Sequence, residues 1–375
     1  MYRSVRPLLF LLPAEVAHEI GIWGLEWMGA SPRGRQRRRA RALQPGRGTV
    51  DLRVSIAGLT LDHPIALAAG LDKDGWAVEG LFALGFSAVE IGTITPRPQA
   101  GNPRPRVFRI PEHQALINRM GFNSAGALAA GDRVRALKWR PGPVGVNIGK
   151  NKATAIERAV DDYVRAVEEL APWSDYVAVN ASSPNTPGLR QLQEPEQLSA
   201  LLKAVRARME EIAPGKPLFL KIAPDLAPEA VDAIVDTART HRVDGLIATN
   251  TTVTRPVQHR RCGEVGGLSG RPLRPLATQI IARAYARSGG ALPIVGVGGV
   301  FTGADAYEKI RAGATVVQLY TGFIYGGPDT VRRILVELVE LLRRDGFASV
   351  REAVGADHRV AATAPEDRRR EPAGR

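Results

Sequence analysis

The run Asn180-Ala181-Ser182-Ser183-Pro184-Asn185-Thr186-Pro187-Gly188 packs two amides, a pair of serines, a threonine, two prolines and a glycine into nine residues. It follows Tyr176-Val177-Ala178-Val179, an apolar run that reads as a buried strand. The result is a stiffened polar loop at the C-terminal end of a strand, where α/β barrels carry their chemistry. Each amide offers a donor and an acceptor, which suits an imide-like or carboxylate substrate. Ser183 sits between them and can take or relay a proton. A plain Asn/Ser/Pro turn would have the same composition, so the other loops must decide.

Those loops are equally polar. Ala68-Ala69-Gly70-Leu71-Asp72-Lys73 combines small residues, which let a flat ligand reach the backbone, with a cation. Further candidates are Gly92-Thr93, Asn118-Arg119-Met120-Gly121-Phe122-Asn123, Asn147 to Lys152, and Thr249-Asn250-Thr251-Thr252. Gly298-Gly299 and Tyr320-Thr321-Gly322 follow the last two strands, where glycine-rich turns of barrels cradle phosphate. Lys221 ends a strand and would lie inside the mouth. A buried ammonium needs an anionic partner; a reduced flavin is one, and Asp225, close in sequence, is another. The mouth is rich in Asn and poor in His, Cys and Glu. It shows no metal-ligand spacing and no Ser-His-Asp set. The chemistry is therefore read as a cofactor's, with the protein orienting a small polar ring.

The elements that must hold these loops repeat a strand–loop–helix theme. Short apolar strands are expected at 65–69, 88–92, 144–148, 176–179, 218–222, 245–249, 294–297 and 316–320. Strands this uniformly apolar are buried on both faces. Helical patterns at 155–170, 196–212, 228–241 and 304–312 fall between them, and another at 329–344 follows. Eight units give an α/β fold, a (β/α)8 TIM barrel over 50–355, with a small hairpin at 51–61 leading in. Before it, residues 1–30 form two helical pieces hinged near Pro13. Val16, Ile20, Trp23 and Trp27 share one face, widened by Ile22, Leu25 and Met28. Such a helix either lies in a membrane interface or docks on the barrel. Residues 31–49 read as a basic linker, and 356–375 as a disordered tail.

The net charge of +13 asks for an anionic partner. Much of the excess lies in Arg33, Arg35, Arg37, Arg38, Arg39, Arg41 and Arg47, a solvated run or a surface for anionic lipid. The single cysteine, Cys262, excludes a disulfide framework and fits a reducing cytosol. No stretch is apolar enough to span a bilayer. Arg3, Arg6 and the leucines after them imitate a signal peptide, but the run is short and ends in Pro13 and Glu15, which speaks against secretion.

Together the loops resemble the dihydroorotate dehydrogenase family, in its membrane-associated, quinone-using class 2. The motifs are AAGLDKDG at 68–75, EIGTITPRPQ at 90–99, INRMGFN at 117–123, GVNIGKNK at 145–152, NASSPNTPGLR at 180–190, LKIAPDL at 220–226, IATNTT at 247–252, GGLSGRPL at 266–273, VGVGG at 295–299 and QLYTGFIY at 318–325. The resemblance implies oxidation of (S)-dihydroorotate to orotate in pyrimidine (UMP) synthesis, with one FMN per subunit. It implies FMN contacts from Ala69, Gly70, Leu71, Asp72, Lys73, Thr93, Asn147, Asn180, Lys221, Thr249, Gly270, Gly299, Tyr320 and Thr321. Around the substrate it implies Lys73, Asn118, Arg119, Met120, Gly121, Phe122, Asn180, Asn185, Asn250 and Thr251. Ser183 takes the position of the base, and we expect a relay through Thr186 and a water, shielded by Phe122. His18, Arg109 and Tyr320 match positions lining the quinone route between the N-terminal helices. The expected location is peripheral, on the cytoplasmic face of the cell membrane. Rival readings are an FMN-dependent tRNA-dihydrouridine synthase, which would use the basic charge on RNA, a soluble fumarate- or NAD-linked dihydroorotate dehydrogenase, and a non-catalytic barrel with a basic arm.

Overall fold

The computed structural model describes residues 2–44 and 50–363. Among these the strands, in chain order, are β1 (Val54–Ile56), β2 (Leu59–Leu61), β3 (Ile65–Leu67), β4 (Val89–Ile94), β5 (Val107–Ile110), β6 (Ala115–Asn118), β7 (Val144–Ile148), β8 (Tyr176–Asn180), β9 (Leu218–Ile222), β10 (Gly245–Ala248), β11 (Gly267–Gly270), β12 (Ile294–Val297) and β13 (Val316–Leu319). Eight of them, β3, β4, β7, β8, β9, β10, β12 and β13, close a parallel barrel in which each pairs with the next and β13 returns to β3. These are the eight strands expected from the sequence. Every residue of β4, β7, β8, β9 and β10 is buried, as strands sandwiched between barrel interior and helices must be. β1 and β2 form the expected antiparallel hairpin.

Three antiparallel strands were not legible in the sequence. β5, β6 and β11 form a small sheet in the order β11-β6-β5. Phe108, Ile110, Ala115, Ile117 and Leu268 give it a core of its own, against which Cys262 packs. It carries Asn118 at the end of β6 and Ser269 and Gly270 on β11.

The N-terminal segment is helical: α1 (Tyr2–Leu11), α2 (Ala14–Ala30) and α3 (Pro32–Leu43). The break at Leu12–Pro13 separates the two pieces predicted. The basic stretch, read as a linker, is corrected: residues 32–43 are the helix α3. Ser31 caps it by accepting from the Gly34 N–H at 3.2 Å, Pro32 occupies the first turn, and Arg and Ala are strong helix formers. Arg35 and Arg39 point inward, which a charge count cannot reveal. Arg39 donates to the carbonyls of Phe82 at 3.2 Å and Phe86 at 2.8 Å, and to Asp62 at 2.9 Å. The first of these is an end carbonyl of α4 (Val78–Ala83), where a cation also meets the helix dipole. Arg35 donates to Gly29 O at 3.2 Å and pairs with Glu79. Arg47 lies outside the described residues.

α2 lies on α4 at very close range. A methyl on Gly80 would stand 1.9 Å from the Leu25 carbonyl, and one on Gly29 would stand 2.8 Å from the Gly80 nitrogen. Leu25 and Gly29 are buried there, whereas Trp23 and Trp27 are 68% and 67% exposed. The expected disorder of 356–375 is corrected for its first part, since Ala356–Thr363 is helical; residues 364–375 lie outside the described residues.

Gly80→Ala should push α2 off α4 and destabilise the protein by about 1–3 kcal/mol, the usual cost of overpacking a tight contact. Thermal unfolding reads this directly; an unchanged midpoint would show that the two helices do not need this approach.

Candidate active site

The loops after the barrel strands enclose one cavity. Its wall includes Ala68, Ala69, Gly70, Lys73, Thr93, Asn118, Met120, Gly121, Phe122, Asn180, Ser183, Asn185, Lys221, Thr249, Asn250 and Thr251, with Gly270, Gly298, Gly299, Gln318, Tyr320 and Thr321 opposite. Two ammonium groups face it. Lys73 and Lys221 make no hydrogen bond or ion pair to any described residue. Burial pushes Lys73 down to about 8, aided by the charges of Arg106 and Lys221 and opposed by Asp74. Burial also lowers Lys221, and the Glu90 carboxylate opposes that. Asp225 is not its partner: that carboxylate accepts from Arg190 at 2.9 Å and from Thr252.

The amides form a connected chain. Asn180 Nδ2 donates to Thr93 Oγ1 at 2.8 Å and to Asn147 Oδ1 at 3.1 Å. Asn250 Nδ2 donates to Asn180 Oδ1 at 3.2 Å and to Ser182 Oγ at 3.0 Å. Across the cavity Asn185 Nδ2 donates to Asn118 Oδ1 at 3.2 Å, leaving Asn185 Oδ1 buried without a partner. The two neighbouring serines are thereby distinguished. Ser182 is bound into the asparagine chain, while Ser183 Oγ lines the cavity and accepts only the Asn185 N–H, at 3.2 Å.

A second cavity, of about 640 Å³, opens between α1, α2 and the barrel. It is mainly apolar and contains His18, Arg109 and Tyr320. His18 is half-buried; burial, followed by the Lys73 charge, pushes it down to about 4, so it is neutral near pH 7. Arg109 donates to the carbonyls of Phe10 at 3.2 Å and Leu12 at 2.7 Å and lies 4.6 Å from the Phe10 ring centre. The two cavities share Gly70, Lys73, Met120 and Tyr320.

The dihydroorotate dehydrogenase family model matches residues 51–342. The chain belongs to the dihydroorotate dehydrogenase family. It is 63% identical over 362 residues to a dihydroorotate dehydrogenase (quinone) from Myxococcus xanthus, covering 96% of this chain and 98% of that one. It is 54% identical to one from Anaeromyxobacter dehalogenans, covering 96% and 98%. A crystal structure of the Eimeria tenella DHODH in complex with ferulenol superposes with a TM-score of 0.82 at 39% identity, covering 92% of this chain and 96% of that one.

The dihydroorotate dehydrogenase family implies a flavin, and the residues fit one. Two unpaired ammoniums and the orphaned Gln318 Oε1 await polar partners. The turn at Gly299, which lines the cavity, is held to glycine: a methyl there would meet Arg274 Cβ at 2.4 Å, and its φ of 73° favours glycine besides.

Of the residues expected around flavin and substrate, most line the cavity. Asn147 stands just behind, holding Thr93 and Asn180. Leu71 and Asp72 lie on the tunnel side. The Asp72 carboxylate is spent on the N–H groups of Gly75, Trp76 and Ala77, the turn that leads into α4. Arg119 turns away, pairing with Glu264 at 2.8 Å and stacking on Phe108. Thr186 is buried beside the loop but outside the cavity wall, while Phe122 lines it.

Sequence reasoning assigned nothing to Arg190. Its guanidinium joins the Ser182 carbonyl at 3.2 Å, Asp225, and the Thr251 carbonyl at 3.1 Å, tying the serine loop to the Asn250 loop. Arg190→Leu should free the serine loop and leave Asp225 short of a cation. Limited proteolysis within 182–190, read by mass, should accelerate several-fold; an unaltered cleavage rate would remove the clamp from Arg190.

Proposed function

We propose that this protein binds FMN and oxidises (S)-dihydroorotate to orotate in pyrimidine (UMP) synthesis, with a membrane quinone as electron acceptor. The observation that carries the reading is the pair of cavities: one polar and lined with amides, one apolar, meeting at Gly70, Lys73, Met120 and Tyr320. FMN held there would supply the acceptor for the hydride leaving C6 of the substrate and the store from which two electrons would pass to the quinone.

The protein's own residues do the rest. Lys73, Asn118, Asn180, Asn185 and Asn250, with Thr251, offer donors and acceptors to the ring edges and carboxylate of dihydroorotate. Lys221 and Lys73 gain the anionic partners they lack. The turn at Gly298-Gly299, with Thr321 opposite, suits the phosphate. Ser183 removes the C5 proton. Its free hydroxyl is a weak base, so the hydroxyl proton must leave as the new one arrives, through Thr186 and a water with Phe122 shutting out bulk solvent. Among the described residues Thr186 makes no side-chain hydrogen bond, which leaves its hydroxyl available for that relay.

The quinone enters through the tunnel, past His18, Arg109 and Tyr320. The protein sits peripherally on the cytoplasmic face of the cell membrane; no described helix is long and apolar enough to cross one. Arg33, Arg37 and Arg41 are exposed at helical spacing on α3 and make no ion pair to any described residue. With Trp23 and Trp27 on the neighbouring helix they suit an anionic lipid surface, at about 1 kcal/mol per basic residue. The tRNA reading loses support because Arg35 and Arg39 are structural. The soluble readings are not favoured by relatives named for quinone.

In stopped-flow mixing with dihydroorotate, Ser183→Ala should slow flavin reduction by about 100-fold or more, the weight of a general base. Ser182→Ala should cost far less; equal losses would take the base role from Ser183. The overall reading is tested with one acceptor comparison. Quinone in vesicles should support fast turnover and fumarate or NAD should not. Turnover should be faster on anionic than neutral vesicles at low salt, and Arg33, Arg37 and Arg41 changed together to Ser should erase that difference. Turnover with fumarate or NAD alone would overturn the quinone half; indifference to lipid charge would overturn the lipid surface.

A further inference from the structure

Below the cavity lies a carboxylate that the chemistry above leaves unused. Glu90, in β4, is wholly buried. Its Oε1 accepts from Asn147 Nδ2 at 2.9 Å; its Oε2 accepts from Gln318 Nε2 at 2.8 Å and from the Tyr176 hydroxyl at 3.1 Å. The Tyr176 ring reaches this place only because residue 145 is glycine: a methyl there would stand 2.0 Å from the ring. A buried carboxylate with three donors from three other strands is a built site rather than an accident of packing.

We propose that Glu90 is a positioning residue whose carboxylate sets the direction of the asparagine chain above it and whose negative charge acts on the Lys221 ammonium across the barrel. The inference rests on the proposed flavin and substrate site. A carboxylate only accepts, so Asn147 must turn its NH2 toward Glu90 and its oxygen upward. That oxygen accepts from Thr93 Oγ1 at 2.6 Å and from Asn180 Nδ2. Asn180 must then aim its own oxygen at Asn250 Nδ2 and the Ser182 hydroxyl. Asn250 Oδ1 in turn accepts the Thr251 N–H at 2.8 Å. One charge thus dictates which end of each amide faces the next. A glutamine at position 90 can present either an oxygen or an NH2, and the dictation ends.

The same charge acts on Lys221. The ionisable groups around this ammonium are Glu90 from β4, Lys73 beyond the end of β3, and Tyr176 from β8, whose proton is held tightly by burial and by Glu90. Only Glu90 favours the charged lysine. Burial and Lys73 both oppose it, so without Glu90 the lysine titrates at lower pH.

The test uses flavin-loaded protein with lysine labelled by carbon-13 at the ε position. The Lys221 signal is the one missing from Lys221→Arg. Glu90→Gln should lower the Lys221 titration midpoint by about one pH unit or more, and weaken orotate binding, read from the flavin absorbance, by about 10-fold. Glu90→Asp keeps the charge and should hold the midpoint near the wild-type value. Its shorter reach to Asn147 should still weaken orotate several-fold. A structural role alone would lower the melting midpoint and leave the Lys221 midpoint in place. An unmoved Lys221 midpoint in Glu90→Gln overturns the proposal, as does a Glu90→Asp midpoint that falls equally far. Should Glu90→Gln not fold, Glu90→Asp decides: unweakened orotate binding there overturns the proposal. Failure of wild-type protein to bind orotate would instead count against the proposed function, and the Lys221 midpoints remain comparable.

Discussion

Taking an ammonium out of water without a partner costs several kcal/mol, and this barrel does so twice at its mouth. Among the described residues Lys73 and Lys221 have no counter-ion in contact, and Glu90, the carboxylate whose charge acts on Lys221, is already engaged by three donors. An anion seated there would supply the partner that both lack. The eight strands, the small residues at their ends and the antiparallel sheet carrying Asn118 bring those two charges to the wall of one cavity.

Much of this was legible in the sequence. All eight barrel strands were placed, because strands buried on both faces are apolar runs with polar loops at one end. The hairpin at Val54–Leu61 and the two helices divided at Pro13 were legible for similar reasons. The antiparallel sheet was not. Its strands are four residues long, β11 lies far along the chain from β5 and β6, and Gly267–Gly270 looks like a loop. The linker reading failed over 32–43 because charge was taken as exposure. Arg35 and Arg39 bury long apolar stems and bring their heads to backbone carbonyls and to Glu79 and Asp62.

In the candidate site the residue types were readable and their directions were not. Arg119 and Asp72 stand inside motifs whose neighbours face the cavity, yet one pairs with Glu264 and the other fastens the turn ahead of α4. Arg190 and Glu90 stood inside quoted motifs without a role. For Glu90 a signal existed: it is the one charged residue within the otherwise apolar and small strand Val89–Ile94, and such a charge must be met from across the barrel.

Among the described residues only Gly70, Lys73, Met120 and Tyr320 belong to both cavities. The rest of the apolar side comes mainly from α1, α2, β5, β6 and the helical turn after β13, and the rest of the polar side mainly from strand ends and the loops that follow them. The meeting of the two cavities is thus four residues wide in sequence terms, and the two halves are nearly separate parts lists. Substitutions on α1 and α2 can reshape the apolar cavity without disturbing the amide chain. The amide side has no such freedom, since each of its members is oriented by the next.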